Sequence, residues 1–291
     1  MRYIEKASDI LEKARRGKYA IGAFNVSDLL TLKAIENAAV KLRAPVIVET
    51  SPGETAFMGM DNEVALLKSC SQRTGLLFIP NLDHATTFRD VMRALKAGYQ
   101  MIHFDGSQLP VAKNIRILKR IVPIAHKHGR LVEGELDYIT GAGSEVHTHT
   151  KMATERSKGH MTDPDEAAAF VKATNIDIFA AFIGNIHGIF ADEERLDIRR
   201  LKAIRSAVPC HLSLHGGSGI RQVDVKAAIQ AGIAKVNVNT ELREAYMTTL
   251  RSVLAKNRNE IAPYKLFVPV IDAIQKVVEK KILLFGSAGK G

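Results

Sequence analysis

The chain has 291 residues, 46% hydrophobic and 25% charged, which are ordinary proportions for a globular protein and give no support to a disordered or fibrous chain. The length fits two average domains or one α/β barrel of ~250 residues with extensions. Lys and Arg total 41 against 31 Asp and Glu, so the net charge of +10 suggests an anionic partner: nucleic acid, a membrane surface or a phosphorylated metabolite.

Other features of the sequence exclude further classes of protein. Two cysteines are too few for a disulfide framework or a Cys-rich zinc module. No apolar run approaches the ~20 residues of a membrane helix. The N-terminal residues are mixed in charge and lack the apolar segment of a signal peptide. We therefore expect a cytoplasmic protein that binds no membrane.

Eight short apolar or β-branched segments alternate with longer segments of helical spacing. Several are apolar at every position, as expected of parallel strands buried on both faces. The predicted strands are Tyr19–Phe24, Pro45–Glu49, Leu76–Asn81, Gln100–Phe104, Arg130–Glu135, Asp177–Ile183, Cys210–Leu214 and Lys235–Val238. Eight β–α units without a composition break predict an α/β protein with a single (β/α)8 TIM barrel domain over residues 1–291, rather than a doubly wound sheet.

Two segments lie outside this repeat. Residues 136–161, after strand five, are rich in Gly, Thr, Ser, His and Lys, and we predict a long mobile loop, which is usually functional in a compact domain. A C-terminal helical extension is predicted near Val268–Ile282, followed by a flexible tail over residues 283–291.

Polar and metal-capable residues lie at the carboxyl ends of the predicted strands, where barrels of this type carry their active sites. A purely structural barrel has no need of them. They are Asn25, Glu49, Asp83, His84, Asp105, Glu135, Asn185, His187, His215, Asn237 and Asn239.

Three of these residues, His84, His187 and His215, come from three different strands. Three neutral imidazoles with an open fourth position make a catalytic zinc site. The alternative is three unrelated histidines with hydrogen-bonded structural roles, but their shared placement favours zinc. His103 lies one residue before a strand end, and we interpret it as a packed core histidine.

The loops after strands seven and eight predict a phosphate site. Residues 215–220 read His-Gly-Gly-Ser-Gly-Ile and residues 237–241 read Asn-Val-Asn-Thr-Glu. Glycines let the backbone approach an oxyanion, and helix N-termini favour negative charge. A lone Gly-Gly-Ser-Gly is as often a tight turn, but the two loops together favour phosphate.

Acidic residues supply acid–base candidates. Asp83 precedes a proposed ligand, so we expect its side chain to point away from the metal. It should still lie in the mouth of the barrel, the end formed by the carboxyl ends of the strands, where it can exchange a proton with substrate. Asp105 and Glu135 are predicted to hold a second cation or to orient the ligands, unless they are salt-bridged barrel carboxylates. Glu145, in the long loop, is either a base or a solvated carboxylate.

No predicted strand carries a lysine at its middle or carboxyl end. Lys235 opens strand eight, on what we take to be the wrong face. A Schiff-base enzyme needs a buried amine inside the barrel, so the sequence favours a metal over an iminium.

The ordered motifs resemble the class II, zinc-dependent ketose-bisphosphate aldolases, a family that includes the fructose-1,6- and tagatose-1,6-bisphosphate aldolases. The resemblance runs from about Gly22 to residues 285–287. Its motifs are Asn-Leu-Asp-His at 81–84, Asp-Gly-Ser at 105–107, Glu-Gly-Glu-Leu at 133–136, Thr-Asp-Pro at 162–164, Ile-Gly-Asn-Ile-His-Gly at 183–188, Leu-His-Gly-Gly-Ser-Gly at 214–219 and Val-Asn-Val-Asn-Thr-Glu at 236–241.

The resemblance implies reversible cleavage of a ketose bisphosphate to dihydroxyacetone phosphate and an aldehyde such as glyceraldehyde 3-phosphate. It assigns zinc (Zn²⁺) to the three histidines, proton donation to Asp83, and a second divalent or monovalent cation to Asp105 and Glu135. We expect a homodimer or homotetramer that binds no nucleic acid. The implied substrate-binding residues, to which we add Asn25, are Gly188, Gly216, Gly217, Ser218, Asn237, Asn239 and Thr240.

Departures from the family's usual pattern surround the aldehyde half of the site. They are residues 135–146, Asn81 (where the family often has His), Gln108 and Lys113. The choice between fructose and tagatose therefore stays open. Two rivals remain: a metal-dependent lyase, aldolase or isomerase acting on another phosphorylated sugar, and a non-catalytic basic binding protein. The second is disfavoured because the chain has no Lys/Arg-dense run and no Trp.

Overall fold

The computed structural model of the protein describes residues 2–139, 161–186 and 195–291. Eight parallel strands close into one barrel in chain order, with β8 paired to β1. The strands are β1 (Ile21–Asn25), β2 (Val46–Thr50), β3 (Phe78–Ala85), β4 (Met101–Asp105), β5 (Leu131–Glu135), β6 (Ile178–Ala180), β7 (His211–Leu214) and β8 (Ile233–Val238). The predicted (β/α)8 barrel is confirmed.

The described residues form eleven helices. Most follow a strand and cover the outside of the barrel. They are α1 (Arg2–Gly17), α2 (Leu29–Leu42), α3 (Pro52–Met58), α4 (Met60–Thr74), α5 (Phe88–Ala97), α6 (Val111–Lys127), α7 (Pro164–Thr174), α8 (Ile198–Ala207), α9 (Gln222–Gln230), α10 (Thr240–Lys256) and α11 (Pro263–Phe285). Among these helices, none is both long enough and apolar enough to cross a membrane.

The inside of the barrel has an apolar floor. Alternate residues of a strand share a face, so each strand sends every second side chain inward. The inward residues nearest the amino ends pack with Ala7, Leu11 and Ala14 of α1, which therefore closes this end. We call these strand residues the floor layer: Ile21, Ile47, Ile79, Met101, Leu131 and Ile178.

One two-residue step further along the strands, the interior changes from apolar to polar. Ile47 is followed inward by Glu49, Met101 by His103 and Leu131 by Glu133. Every member of this second set is fully buried. We call it the polar layer: Glu49, Asn81, His103, Glu133, Ser213 and Lys235. It lies between the floor and the carboxyl ends of the strands, and so directly supports the mouth.

The C-terminal segment differs from its prediction. Residues 283–285 belong to α11, and the chain beyond it is not a flexible tail. The N–H groups of Gly289 and Gly291 donate to the carbonyl oxygens of Leu42 and Arg43, at 2.8 Å each. These carbonyls lie at the end of α2, where a helix leaves its last acceptors without internal partners, so the tail is held by satisfying them.

Candidate active site

A distortion of β3 brings two consecutive side chains into the mouth. Neighbouring residues of a strand normally face opposite ways. Here the pairing of β3 with β4 shifts register between Leu82 and Ala85, and His84 has a left-handed backbone with φ of 49°. Oδ1 of Asp83 consequently lies 3.8 Å from Nε2 of His84. Asp83 is therefore within the histidine cluster, and is not turned away from it as expected.

The described part of the candidate metal site contains three imidazoles. Nε2 of His84 and Nδ1 of His215 are 3.2 Å apart. This matches the separation of roughly 3.3 Å between two ligands of a tetrahedral zinc ion with Zn–N bonds of ~2.0–2.1 Å. His103 joins them, with ring centroids 4.5 Å from His84 and 4.8 Å from His215. Ligand atoms of Asp83 and these three histidines all lie within 4.8 Å of one another.

His103 is buried and packed, as expected of a core histidine, but its ring lies against His84 and His215. It shares its strand face with Asp105, two residues further on. This two-residue spacing could have predicted that His103 points into the barrel. Two other predictions, His187 as a zinc ligand and Gly188 as a phosphate contact, fall outside the described residues, as do Glu145 and most of the predicted loop at 136–161.

Asp105 orients one of the proposed ligands. Its Oδ2 lies 2.9 Å from Nδ1 of His84, and its Oδ1 accepts hydrogen bonds from Ser107. Burial opposes ionisation, but the hydrogen bond with His84 leads the effects that lower the pKa of Asp105, so it is a carboxylate. A carboxylate on Nδ1 makes Nε2 of His84 the proposed metal-binding nitrogen.

Glu135 lies on the other side of the same cluster. Its Oε1 accepts from the N–H of Ile139 at 3.3 Å, while its buried Oε2 has no hydrogen-bond partner within the described residues. Burial and the nearby Asp105 carboxylate raise its pKa to about 7. Ligand atoms of His84, Asp105 and Glu135 lie within 4.8 Å of one another, an arrangement that fits a second cation.

His215, the other proposed ligand among the described residues, is held by Glu133 of the polar layer. Nε2 of His215 is 2.7 Å from Oε1 of Glu133, which also accepts from Ser213 at 2.6 Å. Burial lowers the pKa of His215 to about 4, so the ring is neutral, the form that binds a metal. Glu133 shares a strand face with Glu135, but the sequence pattern alone predicts no role for it.

The prediction that no amine lies inside the barrel is wrong, because Lys235 is buried there. Strand β8 begins at Ile233, so Lys235 is its third residue and has the parity of Asn237. Its Nζ lies 2.7 Å from Glu133 and 3.5 Å from Glu49. Burial disfavours the charge, but the neighbouring acidic groups, with Glu133 the foremost, raise the pKa of Lys235, so it is an ammonium ion. A protonated amine is not a nucleophile, so this lysine does not favour an iminium mechanism.

Asn237 connects the candidate metal site to the predicted phosphate loops. Its Nδ2 donates to Oδ1 of Asp83 at 3.4 Å, and its carbonyl oxygen accepts from the N–H of Gly217 at 2.9 Å. Asn25 holds the other oxygen of Asp83 at 3.3 Å. A Cβ on Gly217 would lie 2.5 Å from the carbonyl oxygen of Asn237, so only glycine allows this approach.

The remaining predicted phosphate residues meet at the start of α10. Asn239 precedes the helix and Thr240 is its first residue, so their backbone is at the positive end of the helix dipole. Ser218 Oγ accepts from the N–H of Glu241 at 3.3 Å, and the N–H of Gly219 donates to the carboxylate of Glu241 at 3.1 Å. The loops after β7 and β8 therefore form one unit.

Lys281 of α11 links the loop after β7 to the start of α10, and the sequence pattern alone did not predict this role. Its ammonium donates to the carbonyl of Gly217 at 2.9 Å and to Glu241 at 2.6 Å, and the side chain is buried. Its position on α11 does not predict a contact with the phosphate loops, because the sequence predicts no contact between this helix and the mouth of the barrel. The C-terminal extension thus supports the proposed phosphate site.

The fold agrees with the comparisons to known proteins. The family model for class-II fructose-bisphosphate aldolase matches residues 5–290, so the chain belongs to this family. The resemblance inferred from the motifs is confirmed.

Several solved structures share the fold of this chain. The YdjI aldolase from Escherichia coli K12 is 32% identical, with 98% of each chain covered and a TM-score of 0.84. A putative fructose-1,6-bisphosphate aldolase from Coccidioides immitis is 28% identical, covering 98% of this chain and 97% of that one, with a TM-score of 0.82. The fructose-bisphosphate aldolase of Campylobacter jejuni, at 20% identity over 99% and 95% with a TM-score of 0.81, shares the fold.

Proposed function

We propose that the protein is a zinc-dependent aldolase that reversibly cleaves fructose-1,6-bisphosphate, tagatose-1,6-bisphosphate or a close phosphorylated ketose to dihydroxyacetone phosphate and an aldehyde. Membership of the class II family supports this, and one geometric observation carries it. Asn237 ties the Asp83–His84–His215 cluster to the loop at Gly217, so an acid–base group, metal ligands and a phosphate cradle adjoin one another. We expect the enzyme to act as a homodimer or homotetramer.

His84 and His215, with His187 outside the described residues, would hold the zinc ion. When bound, the ion acts as a Lewis acid that polarises the ketone and stabilises the negative charge left by carbon–carbon cleavage. Asp105 and Glu135 orient the site or hold the second cation.

Asp83 is the proposed proton-transfer group. Burial alone would raise its pKa, but His84 leads the effects that lower the pKa well below its usual range, so it is a carboxylate. Asn25 and Asn237 each hold one of its oxygens. In cleavage this carboxylate takes the proton of the hydroxyl group that becomes the aldehyde oxygen, and in synthesis it returns that proton. Glu145, from the long loop, remains our candidate for a second base.

The phosphate is held by neutral groups. The proposed cradle is the backbone of the Gly216–Gly219 loop and of the start of α10. Glu241 joins the two, because its carboxylate accepts from the N–H of Gly219 and its own N–H donates to Ser218 Oγ. This cradle suits a dianion at low desolvation cost because the N–H dipoles are already oriented. Substrate binding therefore accounts for little of the +10 net charge.

The first test measures triose phosphate released from fructose- and tagatose-1,6-bisphosphate, before and after a chelator and after zinc is restored. We expect chelation to abolish release and zinc to restore it. Full activity without metal contradicts the metal mechanism, and no release from any phosphorylated ketose contradicts the aldolase assignment.

The second test is Asp83→Ala. Since general acid–base catalysis contributes roughly 10²–10⁴-fold, turnover should fall by that factor while zinc content stays near one per chain. Asp272→Ala, on the exposed face of α11, is the control and should retain full turnover. Retained turnover in Asp83→Ala would remove Asp83 from this role.

A further inference from the structure

His103 touches three parts of the proposed active site while being completely buried. The N–H of His84 donates to its Nδ1 at 3.3 Å. The same nitrogen lies 3.6 Å from Oδ1 of Asp83, and Nε2 lies 3.4 Å from Oε2 of Glu135. No other residue of the polar layer has described contacts with all three of these neighbours.

The contact with His84 matters because His84 is strained. A non-glycine residue in the left-handed region costs of the order of 1 kcal/mol or more, and persists only where its surroundings enforce it. The shift in register between β3 and β4 also removes the N–H of His84 from regular strand pairing. A buried N–H needs an acceptor, and the imidazole of His103 supplies one.

The contact with Glu135 concerns two atoms that otherwise lack partners. Neither Nε2 of His103 nor Oε2 of Glu135 has a hydrogen bond within the described residues, although both are buried. They face each other at 3.4 Å. The imidazole thus lies between the backbone of one proposed metal ligand and the carboxylate of another.

We propose that His103 is a positioning residue: it enforces the left-handed backbone of His84 and fixes the place of Glu135, so that the metal ligands are arranged before the ion arrives. The proposal rests on the proposed function, because it concerns the same metal site. It differs from a packing role, for which an apolar side chain would suffice, as Met101 does two residues earlier on the same face.

The test compares three full-length variants with the wild type. His103→Leu fills similar space without an acceptor. His103→Asn keeps an amide oxygen near the position of Nδ1 and can still accept from His84. Met101→Leu is the matched control, since it alters packing in the same strand but lies in the floor layer. Each protein is stripped with a chelator and titrated with Co²⁺, following the visible absorption of the bound ion.

We expect His103→Leu to weaken Co²⁺ binding by roughly 10–100-fold, the usual effect of losing a group that orients metal ligands. His103→Asn should recover at least half of that loss on a logarithmic scale, and Met101→Leu should bind like the wild type. The titrations are made at a temperature where circular dichroism shows every variant folded, so a lower melting temperature alone cannot produce this pattern.

The outcomes separate the two proposals. If the wild type binds Co²⁺ and His103→Leu binds it within twofold, His103 is a packing residue and the inference is overturned. Equal losses in the Leu and Asn variants also overturn it, because the hydrogen bond to His84 is then irrelevant. If the wild type binds no Co²⁺, the proposed metal-dependent function fails with it. If metal binding follows the expected pattern but no triose phosphate is released, only the substrate assignment fails.

Discussion

The floor layer and the polar layer come from the same strands, one two-residue step apart, yet they differ in almost every physical respect. The floor is aliphatic apart from the Met101 thioether, packs on α1 and needs no hydrogen bonds. The polar layer holds Lys235 against Glu133 and Glu49, and its contacts lead upward to His215. Backbone geometry is common to both, so the identity of the side chains alone separates a stabilising layer from one that serves the site.

The difference also concerns energy. Apolar burial in the floor stabilises the fold directly, by roughly 25 cal/mol per Å². A buried ion pair gains little over apolar residues of similar volume, because removing its charges from water is costly. We therefore interpret the polar layer as serving to hold the metal ligands, and expect disruption of the two layers to have different consequences.

Lys235→Met should have the largest effect on stability. It leaves the Glu133 carboxylate buried without its cation, which typically lowers the free energy of unfolding by about 3–5 kcal/mol. It should also weaken metal binding, since Glu133 holds His215. Urea denaturation and zinc titration measure both, with the exposed Lys226→Met as control, expected to stay within about 0.5 kcal/mol of wild type. A loss below about 1 kcal/mol would contradict the interpretation of this layer.

Ile79→Ala tests the floor. Removing a fully buried aliphatic side chain should cost about 2–4 kcal/mol, through lost burial and the cavity left behind. Because Ile79 lies below the polar layer, zinc affinity and kcat/KM of the folded protein should stay within about twofold of wild type. A large loss of metal affinity at unchanged stability would mean that the layers are not separable in this way.

Glu63 provides a further test of how burial affects an acidic group, at a position outside the two layers. This buried carboxylate of α4 is hydrogen-bonded to Thr50 at 2.6 Å and to Tyr99, and burial raises its pKa to about 7. The folded state therefore binds the proton more tightly than the unfolded state, with its ordinary value of 4.5. Its contribution to stability is full below pH 4.5 and is lost as the pH rises through about 7.

Glu63→Gln removes this titration. We expect the free energy of unfolding of the wild type to fall by about 1–3 kcal/mol relative to the variant between pH 5 and pH 8, measured by urea denaturation at both values. Parallel behaviour of the two proteins would refute the shift. Glu133 should behave in the opposite sense, because Lys235 and His215 lower its pKa despite burial, so its contribution is lost in acid.

Much of the barrel and site could be predicted because the strand ends carry a clear pattern. The fold itself places polar residues that follow apolar strands at one end of the barrel. The sequence therefore predicts that the following residues lie there together: Asp83, His84, Asp105, Glu135, His215 and Asn237. His103, Glu133 and Lys235 were not predicted, although each lies two residues before one of these. They sit inside strands that are buried on both faces, where apolar neighbours hide which parity points inward.

The sequence by itself therefore determined the eight strands, the closed barrel and the polar character of its mouth, since these follow from periodicity and strand order. Only the tertiary structure decided which faces of β4, β5 and β8 point inward, because one residue of register exchanges the two faces of a strand. It also decided the left-handed turn at His84 and the reach of Lys281 from α11 to the phosphate loops. Those features depend on long-range contacts, which local patterns do not encode.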